Sequence, residues 1–546
     1  MIKKLFSGQI NSITIAALLI ALSSLVSRFL GILRDRILAG QFGAGDTLDI
    51  YYASFRIPDL MYNLIILGAL SAGFIPILTK LISDYKGEGG LFGLRSNQAA
   101  WDLTNNVLNI LSMFLLGLSL VGIVFSPILT KLIAPGFSPE KQALTSDLTR
   151  IMFLSPIFLG VSSILGGILQ SFKRFFVYSL SPIMYNVGII IGALYLVPIW
   201  GMYGLAWGVA IGAFLHMLIQ VPAVLRLGYR YSFKLNFKDD NTRQIGIMMI
   251  PRTLSLAINQ INFIVITIIA STLVGGSLAV FNLANNLQSF PIGIFGLSFA
   301  VAAFPALSAV AFDKKKLVNN FSNVFRQILF FIVPATVLLL TLRAQIIRVI
   351  LGTGQFDWND TILTINTLGY FSISLFAQAS IPLLIRIFYA RHDSKTPFYI
   401  GLFCVLINIF LSLFFNKTMG VAGLALAFSV ANILNFILLW ITLKFEVGEM
   451  DEVKILYSAI KFSLAALSCG IAVQVMKILV WPFIDMTKVW GVLAQGLAAG
   501  FFGIFIYILV CSLLKSEELF DFWSSIKRRL TWKKVENVDQ GEARGL

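Results

Sequence analysis

Histidine and cysteine are almost absent from this chain, whose 546 residues include two histidines and three cysteines. His216 and His392 have no potential metal ligands at a suitable spacing, and Cys404, Cys469 and Cys511 lie within apolar runs. These residues predict no metal site, no disulfide framework and no thiol chemistry. The chain also lacks a phosphate-binding loop of the GxxxxGK(S/T) type and a nucleophile with a neighbouring base. We therefore expect a protein that is not an enzyme, has no cofactor and does not use ATP directly.

Charged residues are also scarce. They make up 12% of the chain, against about 25% in a typical soluble domain. Hydrophobic residues make up 58%, and the mean hydropathy is +0.86. Because one membrane-spanning helix needs about 20 apolar residues, the chain has room for well over ten spans. This composition excludes a soluble globular protein and predicts an integral membrane protein.

Apolar runs bounded by charge, glycine or proline predict about fourteen spans and an all-α membrane fold. The runs cover 12–40, 48–82, 101–130, 145–170, 178–198, 203–226, 244–273, 278–311, 321–350, 361–390, 397–416, 420–443, 453–480 and 488–514. The first run follows Lys3 and Lys4, as in a signal peptide. It is too long for one and continues into an arginine-rich segment, so we expect an uncleaved first span.

Lysine and arginine concentrate in alternate loops, which predicts the orientation of the chain. The rich loops include Lys173 and Arg174, five basic residues between 226 and 243, and Lys314, Lys315 and Lys316. The intervening loops at 41–45, 198–203 and 275–277 carry none. We therefore expect both termini on the cytoplasmic side of the cytoplasmic membrane. The net charge of +16 then indicates contact with anionic membrane lipids rather than nucleic acid.

Two segments of the first half recur in the second half in the same order. The segment ending at Pro76 resembles the one ending at Pro305, and the glycine motif at Gly204 resembles that at Gly423. A duplicated unit of six spans predicts two lobes in parallel pseudo-repeat around a central cleft. The predicted divisions are lobes at 1–228 and 229–446, two further spans at 447–514 and a tail at 515–546.

The tail combines apolar residues at helical spacing with a basic cluster. Leu519, Phe522, Trp523, Ile526 and Leu530 recur on one side, and Lys527, Arg528 and Arg529 lie among them. This pattern is typical of an amphipathic helix lying on the membrane surface. A partly solvated basic tail remains the alternative.

Ionisable residues within the predicted spans are the strongest functional signal. Each costs about 2.5–3.5 kcal/mol to insert, so each needs a wet cavity or a partner. The first span contains Arg28, Arg34 and Asp35, with Arg28 and Asp35 on one helical face. It is longer than the membrane core requires, and Gly31 is a candidate bending point or hinge. Guanidinium groups match phosphate oxygens, so Arg28 and Arg34 are candidate substrate-binding residues.

The second span adds Asp49, Arg56 and Asp59, with Pro58 as a candidate hinge. Arg56 is a further candidate substrate-binding residue, and Asp35, Asp49 and Asp59 are candidates for gating or ion pairs. The alternative is that these groups form ion pairs that only hold helices together, with some side chains reaching the membrane interface.

The second half has few intramembrane charges. Arg252 is the only charged residue of the seventh predicted span and a candidate substrate-binding residue. A polar, uncharged strip runs through the seventh and eighth spans and includes Asn259, Gln260, Asn262, Asn282, Asn285, Asn286 and Gln288. It can bind the sugars and amides of a substrate, or it can supply hydrogen bonds between helices.

Several motifs resemble the MurJ/MviN family of lipid II flippases, within the multidrug/oligosaccharidyl-lipid/polysaccharide exporter superfamily. They are Ser27-Arg28-Phe29-Leu30-Gly31-Ile32-Leu33-Arg34-Asp35, Phe42-Gly43-Ala44-Gly45, Asp49, Phe55-Arg56-Ile57-Pro58, Ala134-Pro135-Gly136-Phe137 and the segment from Tyr389 to Pro397. The resemblance implies fourteen helices, a cationic cleft, and a groove for the polyprenyl tail at the last two spans. It also implies transport of lipid II to the outer leaflet by alternating access, for peptidoglycan synthesis.

The resemblance assigns the essential first-helix arginines to Arg28 and Arg34, and the family aspartates to Asp35 and Asp49. Two positions depart from the pattern: Tyr62 and Asn286 stand where the family usually carries arginine. Arg252 or Arg56 is a candidate replacement, and Asn286 a candidate substrate contact. The alternatives are a flippase for another polyprenyl-diphosphate glycan, or a multidrug exporter of the same superfamily. The cell-wall synthesis machinery is a further expected partner.

Overall fold

The computed structural model of the chain describes residues 13–67, 73–84 and 98–530. Within these ranges the regular structure is helical, without a β-strand, which confirms the predicted all-α class. The helices α1 to α21 are, in chain order, Ile13–Phe42, Asp46–Met61, Ile75–Asp84, Gln98–Ile133, Pro139–Met152, Leu154–Ser171, Phe175–Ile191, Val197–Trp200, Tyr203–Leu218, Val221–Leu225, Asp240–Ser271, Ser277–Pro291, Ser298–Ala309, Lys314–Ile350, Trp358–Ser372, Leu375–Ala390, Lys395–Met419, Val421–Val447, Glu452–Val480, Val489–Leu513 and Glu517–Leu530.

Many of these helices are long and apolar enough to cross a membrane. Among the described residues there are ten such helices, or eleven if α15 and α16, bent by 46° at their junction, form one span. The chain is therefore a membrane protein with multiple spans. The count of fourteen stays a prediction.

The chain forms two compact units that do not follow sequence order. Unit 1 comprises Met1–Phe290, Ile350–Phe371 and Phe398–Ala431. Unit 2 comprises Pro291–Val349, Ser372–Pro397 and Asn432–Leu546. The division into lobes at 1–228 and 229–446, with two further spans and a tail, stays a prediction.

The second predicted span of each half contains a proline near a π-helical turn. Pro58 lies inside α2, which continues as the π-helical segment Tyr62–Leu67. Pro291 ends α12, and the π-helical segment Ile292–Leu297 follows it. Proline lacks the N–H of the regular helical ladder, and π turns often occur where that ladder is interrupted. The recurrence agrees with the internal repeat, whereas the role of Pro58 as a hinge stays a prediction.

Three asparagines of α4 hold the connection between α10 and α11. Asn106 forms two hydrogen bonds with the backbone of Asn236. The Asn106 Nδ2 donates to the Asn236 carbonyl at 2.8 Å, and the Asn106 Oδ1 accepts from the Asn236 N–H at 2.6 Å. Asn105 Nδ2 donates to Ser232 Oγ at 3.0 Å, and Asn109 Nδ2 donates to the carbonyl of Ser232 at 3.1 Å. This connection has no regular secondary structure to pair its backbone N–H and C=O groups. The asparagine amides form hydrogen bonds with these groups instead.

Within unit 2, a buried charge network attaches the C-terminal helix α21 to α14 and α19. Arg326 of α14 binds the Glu518 carboxylate, which also accepts hydrogen bonds from Ser458 and Ser516. Burial raises the pKa of Glu518, but the two hydroxyl donors and the Arg326 guanidinium outweigh it and hold that pKa below its ordinary value. The predicted tail helix is thus present, and its aromatic residue Trp523 remains exposed.

Helices α7 and α9 pack in direct backbone contact within unit 1. A Cβ atom added to Gly188 would lie 2.2 Å from the Cα of Gly212, and one added to Gly208 would lie 2.7 Å from the Cα of Gly192. Small residues allow membrane helices to approach closely and gain van der Waals contact. The glycines therefore set the distance between these two helices.

We expect Gly208→Val to destabilise the protein, because the new side chain meets backbone that cannot move aside. Overpacking of this kind costs about 1–3 kcal/mol. Gly117→Val in α4 is the matched control, because a Cβ there meets nothing within 4 Å. Thermal unfolding in detergent should give a lower midpoint for Gly208→Val than for Gly117→Val. Equal midpoints would contradict the role of this contact.

Candidate functional site

The predicted residues of the first span line a small cavity in unit 1, with a volume of about 190 Å³. Its walls come from α1, α12 and the end of α14. The lining residues are Arg28, Gly31, Ile32, Arg34, Asp35, Leu283, Asn286, Leu287, Ser289, Phe290, Ile350 and Leu351. Five of the sequence-predicted site residues are therefore brought together: Arg28, Gly31, Arg34, Asp35 and Asn286.

The spacing along α1 explains why these residues share the cavity. Arg28, Gly31 and Asp35 follow one another by three and four residues, which places them on one helical face. A Cβ added to Gly31 would meet nothing within 4 Å, so the glycine leaves open space between the two charged side chains. Helix α1 runs without interruption through Gly31. Bending at this position stays a prediction.

Arg28 has no acidic partner among the described residues. Its Nη1 donates to the backbone carbonyl of Ser289 at 3.3 Å, and the side chain is half-buried. A guanidinium has five N–H donors and carries a permanent charge. Most of the donors of Arg28 therefore have no partner among the described residues, as expected of a residue that binds an anion.

Arg34, in contrast, is held by its neighbour in the sequence. Its Nε and Nη2 donate to Asp35 Oδ1 at 3.0 and 2.8 Å, and its Nη1 donates to Asn186 Oδ1 at 3.2 Å. Asp35 Oδ2 accepts a hydrogen bond from Asn286 Nδ2 at 2.9 Å. This network neutralises Arg34 and leaves the cavity with one uncompensated positive charge, on Arg28.

Arg56 does not line the cavity. Its Nε donates to Thr267 Oγ1 and its Nη2 to Asn282 Oδ1, both at 2.7 Å. Its Cζ lies 5.5 Å from the centre of the Phe263 ring. Asp59, three residues along α2, forms no salt bridge with Arg56 or with any other described residue. Arg56 therefore connects α2 to α11 and α12, and an ion pair with Asp59 is not formed.

Asp49 caps a helix instead of pairing with a cation. Its Oδ2 accepts a hydrogen bond from the N–H of Gly276 at 2.7 Å, and its Oδ1 accepts one from Ala279 at 2.8 Å. A carboxylate at this position satisfies free N–H groups and complements the helix dipole. Asp49 thus fixes the N-terminus of α12, which also carries Asn286.

The polar strip of α12 is used mainly between helices. Asn282 and Asn286, one turn apart, bind Arg56 and Asp35 respectively. Asn262 of α11 accepts a hydrogen bond from Asn408 of α17 at 2.6 Å. These contacts favour the interpretation that the amides join helices. Arg252 belongs to α11, but its side chain lies outside the described part of the chain.

Beyond Asp35, the end of α1 meets two turns in backbone contact, which we call the seam. The N–H of Gln355 donates to the carbonyl of Gly40 at 2.8 Å, and the N–H of Ala44 donates to Asp360 Oδ2 at 2.8 Å. A Cβ added to Gly354 would lie 2.1 Å from the Gly40 carbonyl oxygen, and one added to Gly276 would lie 1.8 Å from that of Ala44. The seam begins five residues beyond Asp35 along the chain, at Gly40.

Sequence reasoning did not identify the seam or Asn186. The glycine-containing turns at 43–45, 275–276 and 353–354 were the available signal for the seam. Asn186 is an amide within a predicted span, which is itself a sign of an interhelical partner. Neither signal indicates which backbone or side chain lies opposite.

Comparison with known proteins gives matches over most of the chain. The family model described as lipid II flippase MurJ matches residues 38–494. A probable lipid II flippase MurJ of Buchnera aphidicola subsp. Baizongia pistaciae is 31% identical over 77% of this chain and 81% of its own length.

Solved structures share the fold. One described as lipid II flippase MurJ in an inward closed conformation has a TM-score of 0.72 at 24% identity, over 91% of this chain and 98% of its own. An inward-facing MATE family transporter of the MOP superfamily has a TM-score of 0.65 at 16% identity, over 78% of this chain and 96% of its own length. The resemblance read from the opening motifs is confirmed, and the chain belongs to the lipid II flippase MurJ family.

Proposed function

We propose that this protein moves lipid II, the lipid-linked peptidoglycan precursor, from the inner to the outer leaflet of the cytoplasmic membrane by alternating access. The observation that carries the proposal is Arg28, an arginine in a cavity between membrane helices with no carboxylate partner among the described residues. Such a charge is costly at membrane depth, so it is retained where it binds an anion. A diphosphate linkage supplies two adjacent negative groups, which match the planar donors of arginine.

The size of the cavity supports a mechanism in which it must open. Its volume of about 190 Å³ is below the range of about 300–1,000 Å³ that small-molecule sites usually have. A sugar-peptide head group therefore enters only after α1 and α12 have separated. The Asp35–Asn286 hydrogen bond and the Arg28–Ser289 contact join these two helices, and the Arg28–Ser289 contact must break first.

Arg34 becomes a second ligand when the substrate arrives. The diphosphate competes with Asp35 for the Arg34 guanidinium, and Asn286 keeps a hydrogen bond to the released carboxylate. Substrate binding thereby breaks one of the networks that hold the cavity closed. A cationic drug would instead be repelled by Arg28, which argues against the exporter alternative.

The polyprenyl tail, in this proposal, stays in lipid along α19 and α20. These helices pack tightly: a Cβ added to Gly503 would lie 2.5 Å from Val473 and 3.0 Å from the sulfur of Cys469. Their outer faces expose large apolar side chains, among them Ile471 and Phe501. Exposed apolar surface of this kind suits contact with a lipid tail.

We further infer that both termini face the cytoplasm and that the protein binds and transports without chemical change of its substrate. The distribution of lysine and arginine between alternate loops supports the orientation. On this orientation the seam lies on the outer side of the membrane, and in this proposal it acts as the outer gate. Cell-wall synthesis enzymes are expected partners because they use the transported precursor.

Arg28→Ala should abolish most of the binding and transport of lipid II. Loss of a charged hydrogen bond costs about 1.5–3 kcal/mol, or about ten- to a hundredfold in affinity. Binding to purified protein and complementation of a flippase-depleted strain are the measurements. Arg150→Ala is the control, because this exposed arginine pairs with Asp147 outside the cavity. Normal binding and complementation by Arg28→Ala would sink the proposal. A parallel assay with another polyprenyl-diphosphate glycan tests the alternative substrate.

Asp35→Asn should strengthen binding and slow transport. The variant frees Arg34 from its carboxylate, so two guanidiniums face the diphosphate and release becomes slower. We expect about tenfold tighter binding, the ratio that corresponds to about 1.4 kcal/mol. Asp147→Asn is the control, since its carboxylate pairs with Arg150. Weaker or unchanged binding by Asp35→Asn would show that Asp35 does not restrain Arg34.

Gly354→Ala should open the seam. Gly354 has φ +59°, and a Cβ there would collide with the Gly40 carbonyl. Gly420→Ala is the control, because Gly420 has φ +56° and open space around it. Ala44 is buried, so Ala44→Cys on a background without the native cysteines reports opening. Labelling by a membrane-impermeant maleimide should rise several-fold with Gly354→Ala alone, while both variants keep similar unfolding midpoints. Equal labelling would mean that the seam is not a gate.

A further inference from the structure

Unit 2 contains a groove of about 700 Å³ that shares no residue with the arginine cavity. We call it the lipid groove. Helices α14, α16, α18 and α19 line it, and thirteen of its sixteen lining residues are apolar. Leu329, Val333 and Val337 form one wall, and Leu456 and Ala459 form another. Its volume lies within the range of about 300–1,000 Å³ that is typical of small-molecule sites.

The length of the lipid groove corresponds to one leaflet of a membrane. Its lining extends over residues 325–337 of α14 and 452–463 of α19. At about 1.5 Å per residue these segments are about 18 and 16 Å long. The hydrocarbon core of a bilayer is about 30 Å thick, so half of it is about 15 Å. An acyl chain that enters at the start of α19 fits this depth.

A polar pocket of about 480 Å³ lies at the same ends of α14 and α19. Lys314 and Lys315 begin α14, and Lys454 lies in the first turn of α19, next to Val453 of the lipid groove. The mouth of the apolar groove is therefore bordered by three lysines.

The pocket lining contains three lysines and two acids, so its net formal charge is +1. Lys314 and Lys315 have no salt bridge among the described residues, whereas Lys454 lies 3.5 Å from Glu517. Two acids, Glu449 and Asp451, also line the pocket. The Asp451 carboxylate accepts a hydrogen bond from Ser322 at 2.6 Å, which orients it and keeps it on the α14 side of the pocket.

Two helix N-termini add to the positive charge at this pocket. Helices α14 and α19 both begin at the pocket, and helix N-termini present free N–H groups and partial positive charge. Asp451 occupies the N-cap position of α19, but its side chain makes no cap hydrogen bond. The Glu452 carboxylate accepts the first N–H of α19, and the N–H groups of Val453 and Lys454 have no partner among the described residues, so a phosphate can use them.

We propose that unit 2 binds an anionic phospholipid, with one acyl chain in the lipid groove and the phosphate at Lys314, Lys315 and the first turn of α19. An apolar groove one leaflet deep with a basic mouth matches a lipid better than a protein helix. This site differs from the proposed groove for the substrate tail, because α20 contributes no residue to it. The proposal does not depend on which lipid-linked glycan is transported.

The head-group contact is tested by native mass spectrometry of the full chain in detergent containing phosphatidylglycerol or phosphatidylcholine. The double variant Lys314→Gln, Lys315→Gln should retain about tenfold less phosphatidylglycerol, the ratio expected from lost charge-assisted contacts. Lys316→Gln should retain as much as the unmodified protein, because Lys316 pairs with Asp313 and lies outside the pocket. Equal retention of the two lipids, or no loss in the double variant, would overturn the proposal.

The chain contact is tested by filling the lipid groove. Ala459→Phe should abolish retention of long-chain phosphatidylglycerol, whereas Ile460→Phe, at an exposed position outside the groove, should leave it unchanged. Soluble glycerol phosphate should not displace the bound lipid, which separates a phospholipid from a free phosphate ligand. Unfolding midpoints in lipid-free detergent check that the variants are folded. Retention by Ala459→Phe, or displacement by glycerol phosphate, would exclude the groove as an acyl-chain site.

Discussion

The site depends on how a few charges are compensated where water is scarce. In that environment an ionised group requires a partner of opposite charge, a polar contact or a bound anion. Helix α1 carries two arginines and one aspartate at the cavity, and Asp35 is used by Arg34 and Asn286. Within the described part of the chain, Arg28 has one hydrogen-bond partner, the backbone carbonyl of Ser289. In the proposed mechanism this uneven division makes Arg28 the first group to attract the diphosphate, and Arg34 becomes available only when the diphosphate competes with Asp35.

Helix α12 connects this charge network to the seam, which Gly276 joins just before α12 begins. Asp49 holds its N-terminus, Arg56 binds Asn282 and Asp35 binds Asn286, so α1 and α2 hold α12 along most of its length. Seam and network together involve only a handful of hydrogen bonds, each worth about 0.5–1.5 kcal/mol net. Inverting a two-state population from 1:99 to 99:1 takes about 5.5 kcal/mol. The closed state is thus held by contacts of the size that substrate binding can offset.

Local spacing predicted the residues that share a helical face, and the structure brings Arg28, Gly31 and Asp35 to one cavity. It did not predict the partners. Arg34 and Asp35 point about 100° apart on a regular helix, and they meet only because the guanidinium is long enough to turn back. The spacing of Arg56 and Asp59 suits an ion pair, yet Arg56 binds Thr267 and Asn282. Such choices are made by other helices, whose approach no local pattern encodes. The seam is harder still to predict from the sequence, because most of its contacts involve backbone groups, which every residue carries.

Asn286 shows what a departure from the family pattern does to this balance. An arginine there would compete with Arg34 for Asp35 and raise the cavity charge by one. Asparagine donates a hydrogen bond to the same carboxylate without adding charge, so Arg34 remains the only cation paired with Asp35. The carboxylate also keeps a donor when Arg34 leaves it, which lowers the cost of that step because a buried acceptor is not left unsatisfied. In the proposed mechanism, asparagine at position 286 therefore gives a weaker attraction for the diphosphate than arginine would, but an easier transfer of Arg34 from Asp35 to the diphosphate.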